Sequence, residues 1–209
     1  ADCIGFNFVQ GSSRKISANE AESIVKRLPH GTVTVGVFRN ENPETIVSTI
    51  TQIGLSGAQL HGREPVSEVR WIRKRLPFVI QAFDAEDPNL SSASNSPADI
   101  ILLDAHTPGS GRTFDWRLAS NAPSGVRLMI AGGLNPENVE QAINQIRPYG
   151  VDVATGVESR PGKKDASKMQ KFINLAKSSE ENKTSSSDLS TGKDNDGIVS
   201  PFYDWADDG

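Results

Sequence analysis

The sequence is poor in the residues that cross-link small folds or capture metals: among 209 residues there is one cysteine, Cys3, and there are three histidines. A lone cysteine excludes an intramolecular disulfide and any Cys-based metal site. That economy suits a reducing, cytoplasmic compartment. Long apolar runs are also missing, since none approaches the roughly 20 residues a membrane-spanning helix needs, so the reading is of a protein without a membrane partner. Charge of one sign is scarce: the formal net charge is −4, and eight of the 26 acids but only two of the 22 bases lie in residues 178–209. The body before that segment therefore holds 18 acids and 20 bases. This slight surplus suits a small anionic ligand and lacks the clustered basic face of a nucleic-acid binder, so nucleic acid is set aside as a partner.

What is present is a repeating unit. From residue 1 to 177 a short β-branched or apolar run is followed by a Gly, Asn or Pro-containing loop and then by a polar segment of helical periodicity. The runs are IGFNFV (4–9), VTVGVF (33–38), GAQLHG (57–62), FVIQAFD (78–84), DIILLDA (99–105), RLMIAGG (127–133) and VDVATGV (151–157). Ser17 with Glu20 three residues on forms a capping-box pattern, Pro43 suits a first helical turn, and Gly54 suits a helix stop. Val66, Val69, Ile72 and Leu76 fall on one helical face. The pattern predicts seven strands and six or seven helices.

Strands alternating with helices imply parallel pairing with helical crossovers, and near-continuous apolar strands fit a sheet covered on both faces. In almost every unit the Gly and polar residues crowd the end of the strand. A closed (β/α)8 barrel collects those ends on one rim, whereas an open doubly wound sheet concentrates them at one switch point. The fold class expected is therefore an α/β TIM barrel of which seven of eight βα units are visible, the first unit being absent and ADCIGFNFV serving as the second strand. Residues 178–209, rich in Ser and acids, are expected to be a disordered tail or linker, with PFYDW able to dock on a partner or begin another domain.

Several strand ends carry chemistry. AGGLNPENV (131–139) places Gly132 and Gly133 before a helix start, and ATGVES (154–159) supplies Thr155 and Gly156 in a second small-residue turn. Glycine lets backbone N–H groups approach a ligand closely, and late loops of such barrels commonly share a phosphate site. Tight turns without a ligand are the alternative. Asp104 ends an apolar strand, where partial desolvation favours the neutral carboxyl that a general acid requires; a capping role is the alternative. The following loop, TPGSGRTF, is long enough to close over a ligand. Arg14 can pair with an anionic substrate group or be a solvated surface residue, and His61 either faces the barrel mouth or packs as an ordinary hydrogen-bonded histidine. Asp152 reads as structural. Cys3 lies at the start of its strand, about 16 Å from the rim at ~3.3 Å per residue, and reads as a small core residue.

SSRKIS after a strand, VGVFRNENPE, QLHG, LLD followed by GSGRTFDW, AGGLNPENV, and VDVATGVES with PGKKD, in this order, closely resemble phosphoribosylanthranilate isomerase of tryptophan biosynthesis, over residues 1 to about 177. The resemblance implies a (β/α)8 barrel and an Amadori rearrangement of N-(5-phosphoribosyl)anthranilate, a phosphorylated aminosugar, to the 1-deoxyribulose 5-phosphate ketose, without metal or organic cofactor. It makes Asp104 the general acid, turns Arg14 to the anthranilate end, and places the phosphate around Gly132, Gly133, Thr155 and Gly156; His61 is kept as a substrate-binding candidate on its strand-end position alone. His106 stands where the family has Lys or another polar residue. The family's general base is a cysteine of a Lys-x-Cys-Gly type motif on the first strand, which this sequence lacks, and Cys3 cannot replace it by position. The resemblance also raises fusion to, or association with, another enzyme of the pathway. A catalytically impaired barrel that binds a sugar phosphate or a partner protein is the competing reading. An epimerase or aldolase is disfavoured, because no Lys ends a strand and no His/Asp set suits a metal.

Overall fold

The computed structural model of the chain describes residues 1–87, 90–104, 122 and 124–187, with side chains as far as residue 179. Seven strands form one sheet: β1 (Cys3–Asn7), β2 (Val33–Phe38), β3 (Gly57–Leu60), β4 (Phe78–Asp84), β5 (Ile100–Asp104), β6 (Leu128–Ile130) and β7 (Gly150–Val151). Each pairs in parallel with its neighbour in strict sequence order. That order has no switch point, so it is the wall of a barrel and not a doubly wound sheet. The expected seven-strand TIM-barrel architecture is what folds. A small antiparallel hairpin, β8 (Glu158–Arg160) and β9 (Lys163–Lys164), follows β7 where the sequence suggests only a loop.

Alternation along the strands sorts side chains into two layers. Val35, Phe78, Ile80, Ala82, Ile100, Leu102 and Ala131 form a cluster of their own on the barrel's inner face. The alternate residues of the first strands, Phe6, Phe38, Ala58, Leu60 and Val79, pack outward against α1 (Ala18–Val25), α2 (Pro43–Ile53) and α3 (Val66–Arg73). Ile101, Leu103 and Ile130 do the same under α4 (Val139–Ile146) and α5 (Ala166–Ser187). The inner layer is open to the rim at the strand C-termini, and the site lies there.

The caps confirm the helix starts read from the sequence. Ser17 and Glu20 form a reciprocal capping box, and the Asn42 side chain accepts from the Glu44 and Thr45 amides with Pro43 in the first turn of α2. Gly54 closes α2 at φ 78°, a left-handed conformation that costs glycine nothing. Val69, Ile72 and Leu76 are buried as expected, but Val66, the first residue of α3, is exposed. The Ser-rich stretch after β4 contains a 3-10 helix at Leu90–Asn95. The last helix runs to Ser187, across residue 177 where the sequence suggests the barrel ends. Residues 188–209 and the loop at 107–116, with His106, lie outside the described residues.

Cys3 corrects one expectation. It is exposed, not a core residue, because β1 is an edge strand of the sheet and no described strand covers its outer side. Its side chain shares the inward parity of Gly5 and Asn7, and it stands at the end of β1 away from the rim.

Candidate active site

Four inward-facing polar residues meet at the rim end of the inner layer. Gln59 and His61 occupy alternate positions on and just after β3, Asp104 ends β5, and Asp152 follows β7. His61 Nε2 lies 3.0 Å from Asp104 Oδ2, and Gln59 Nε2 lies 3.4 Å from His61 Nδ1. With the Gln59 amide donating to Nδ1, the imidazole presents its Nε2–H to the Asp104 carboxylate. Gln59, itself buried, also hydrogen-bonds the half-buried Asp152. The result is a polar chain, Asp152 to Gln59 to His61 to Asp104, running across the barrel mouth.

Burial pushes the Asp152 carboxyl up from its ordinary range and the nearby Asp104 charge adds to this, while His61, Lys164 and the Gln59 hydrogen bond oppose it. Burial thus favours the protonated form of Asp152.

The loop that follows His61 is laced to the loop after β2. Glu64, nearly fully buried, accepts from the Asn40 amide at 2.8 Å and the Gly62 amide at 3.0 Å, and the Asn40 side chain accepts from the Arg63 amide at 2.8 Å. Asn40 takes a left-handed φ of 50°, which its short polar side chain tolerates. Loops after β2 and β3 are thus tied to each other next to His61 in the chain.

The two glycine turns abut. Gly132 and Gly133 follow β6 at φ 84° and 65°, and Asn138 Nδ2 donates to the Gly133 carbonyl at 3.0 Å, shaping the turn before α4. Gly156 sits in a single 3-10 turn, Thr155–Val157, so close to the Leu134 carbonyl that no side chain fits between them. Backbone from two late loops therefore converges on one spot beside the start of α4.

Arg14, in the loop after β1, is half-buried and paired, not a free surface residue. Its Nε and Nη2 donate to Glu158 Oε1 and Oε2 at 2.7 and 2.8 Å, and this pairing holds the Glu158 carboxyl down at about 2. Of the expected residues, Asp104 and His61 come together, Gly132, Gly133, Thr155 and Gly156 form the second cluster, and Arg14 stands on the β7 side of the rim through Glu158. The sequence reading missed Gln59, Glu64 and Glu158 and set Asp152 aside. The two-residue spacing of Gln59 and His61 was the available signal, since period two puts both on the inner face; nothing local marks Glu64 or Glu158.

A family model described as N-(5'phosphoribosyl)anthranilate (PRA) isomerase matches residues 1–175. The chain is 43% identical over 181 residues to N-(5'-phosphoribosyl)anthranilate isomerase of Desulforudis audaxviator, covering 85% of this chain and 88% of the relative. Phosphoribosyl anthranilate isomerase of Thermus thermophilus superposes with a TM-score of 0.78 at 37% identity, covering 85% of this chain and 88% of that one. Another solved phosphoribosyl anthranilate isomerase, in complex with reduced 1-(o-carboxyphenylamino)-1-deoxyribulose 5-phosphate, superposes at 0.72 with 38% identity, covering 85% and 88%. Matched in sequence across its barrel and in fold to solved relatives, the chain belongs to the phosphoribosylanthranilate isomerase family.

Proposed function

We propose that the rim catalyses the isomerisation of N-(5-phosphoribosyl)anthranilate to 1-(2-carboxyphenylamino)-1-deoxyribulose 5-phosphate in tryptophan biosynthesis. The observation that carries the reading is the Asp104 carboxylate, 3.0 Å from His61 and on the same rim as two abutting glycine turns. A substrate whose phosphate rests on the amides around Gly132, Gly133, Thr155 and Gly156 reaches Asp104 with its furanose ring.

Asp104 gives its proton to the ring oxygen as the C1′–O bond breaks and the anilino nitrogen pair forms the C=N bond. Transfer of the C2′ proton to a general base then yields the enolamine, which becomes the ketone as C1′ gains a proton and the C2′ hydroxyl loses one. His61 donates to Asp104 and orients it. Arg14 receives the anthranilate carboxylate. Residues 1–209 hold no counterpart of the cysteine base that the resemblance assigns, and Cys3, at the end of β1 away from the rim, does not supply one.

A sugar-phosphate-binding module without catalysis is not favoured by membership of an isomerase family. No helix among the described residues is long and apolar enough to cross a membrane. A cytoplasmic location, and fusion or association with another enzyme of the pathway through residues 178–209, extend the same proposal; cell fractionation and copurification test them.

The test is fluorescence-followed turnover of freshly made phosphoribosylanthranilate, by the chain alone and with a family-type first βα unit supplied. Asp104→Asn is expected to lower kcat by about 10²–10⁴-fold, the usual worth of a general acid. Absence of turnover in both forms overturns the reading, and an undiminished Asp104→Asn enzyme overturns the acid assignment.

A further inference from the structure

We infer that Glu158 is a positioning residue for substrate recognition: it clamps one edge of the Arg14 guanidinium so that the other edge faces the anthranilate carboxylate. The inference rests on the proposed function, and it concerns a residue whose role there is unassigned.

A guanidinium has two edges that can each grip a carboxylate with parallel N–H groups. Glu158 takes the side edge, accepting from Nε at 2.7 Å and Nη2 at 2.8 Å. The end edge, Nη1 with the second hydrogen of Nη2, has no partner among the described residues. Arg14 keeps 30% of its side-chain surface open, whereas Glu158 keeps 5%. The acid is buried and the base still reaches the rim, which is the asymmetry of a mount and the group it mounts.

Glu158 is itself over-determined. The Gly162 amide and Lys164 Nζ, 3.4 Å from Oε1, engage its carboxylate, and Lys168 Nζ donates to its backbone carbonyl at 3.0 Å. Lys164 Nζ is fixed in turn by the Ala154 carbonyl at 2.7 Å. The β8–β9 turn at Gly162 lies against the Ser13 carbonyl, next to Arg14. A rigid hairpin from the β7 side thus aims an arginine from the β1 side. Neutralising the guanidinium with Glu158 gives up some attraction for an anion; what it gains is orientation, since an unclamped arginine would lose its several side-chain rotations on binding.

The experiment is a titration of the full chain with two ligands, reduced 1-(o-carboxyphenylamino)-1-deoxyribulose 5-phosphate and the same molecule without the ring carboxylate. Glu158→Gln keeps shape and removes the charged clamp. It is expected to weaken the carboxylated ligand about tenfold, the scale of one misdirected charge-assisted pair, and to leave the other within about twofold. Glu158→Asp, which keeps the charge and withdraws the clamp by one methylene, is expected to show a smaller loss with the same selectivity. Equal losses on both ligands, or unchanged or tighter binding of the carboxylated one, would overturn the inference while leaving the proposed function in place. Failure of the unmutated chain to bind either ligand would overturn both.

Discussion

Single residues at the rim are held at odds with their solution chemistry. Asp152 is the clearest case: with burial as the main cause, its carboxyl is raised above the ordinary 3.8, so folding favours its protonated form. The associated stability is fully present below 3.8 and is lost as pH rises through the folded-state value. Asp152→Asn removes the titration and keeps a hydrogen-bonding partner for Gln59. Thermal melting followed against pH is expected to show the variant a few degrees more stable than the parent near neutrality and level with it under acid conditions. A parent curve that gains stability with rising pH through this range would refute that account. Glu158 behaves in the opposite sense: held at about 2 by Arg14, it stabilises the fold above the ordinary 4.5 and ceases to do so as pH falls through about 2.

Between elements, the decisive contact is backbone against backbone. The turn after β7 reaches the turn after β6 only because residue 156 has no side chain, the Leu134 carbonyl and Asn135 Cβ standing where a Cβ would go. Gly156→Ala must push those turns apart. Overpacking of this kind costs about 1–3 kcal/mol, readable by urea unfolding. Affinity for inorganic phosphate is expected to drop at least about tenfold as the converging amides separate, since each charge-assisted contact is worth about that much. Stability lost without any loss of phosphate affinity would place the anion elsewhere on the rim.

At the largest scale, the described residues link the β1 and β7 sides of the sheet, the first and last strands of its order. Two ion pairs do so among the described residues: Arg14 with Glu158 at the rim, and Asp2 with Lys177 of α5 at 3.0 Å toward the opposite end. They are not equivalent. Both members of the second pair are well exposed, so water screens it and Asp2→Asn is expected to cost no more than about 0.5–1 kcal/mol in urea unfolding. The first is forked and half hidden, and removing Glu158 leaves Arg14 without its partner. A larger cost for Asp2→Asn than for Glu158→Gln would mean that α5, not the rim, holds the two sides together.

The sequence by itself determined the strand and helix succession, because period-two and period-3.6 patterns, Ser17, Asn42, Pro43 and Gly54 act within a few residues of where they stand. It also marked Asp104, His61 and the glycine turns, since a polar or glycine residue at the end of an apolar strand is locally conspicuous. Tertiary structure alone decided which of these meet. The reach of Arg14 to Glu158 spans 144 residues and that of His61 to Asp104 spans 43, and no local pattern encodes a contact made by the curvature of a sheet. It likewise decided that Cys3 stands at an exposed edge and that Asp152 shares the lumen with Asp104, because burial and charge proximity belong to the assembled wall and not to any one strand.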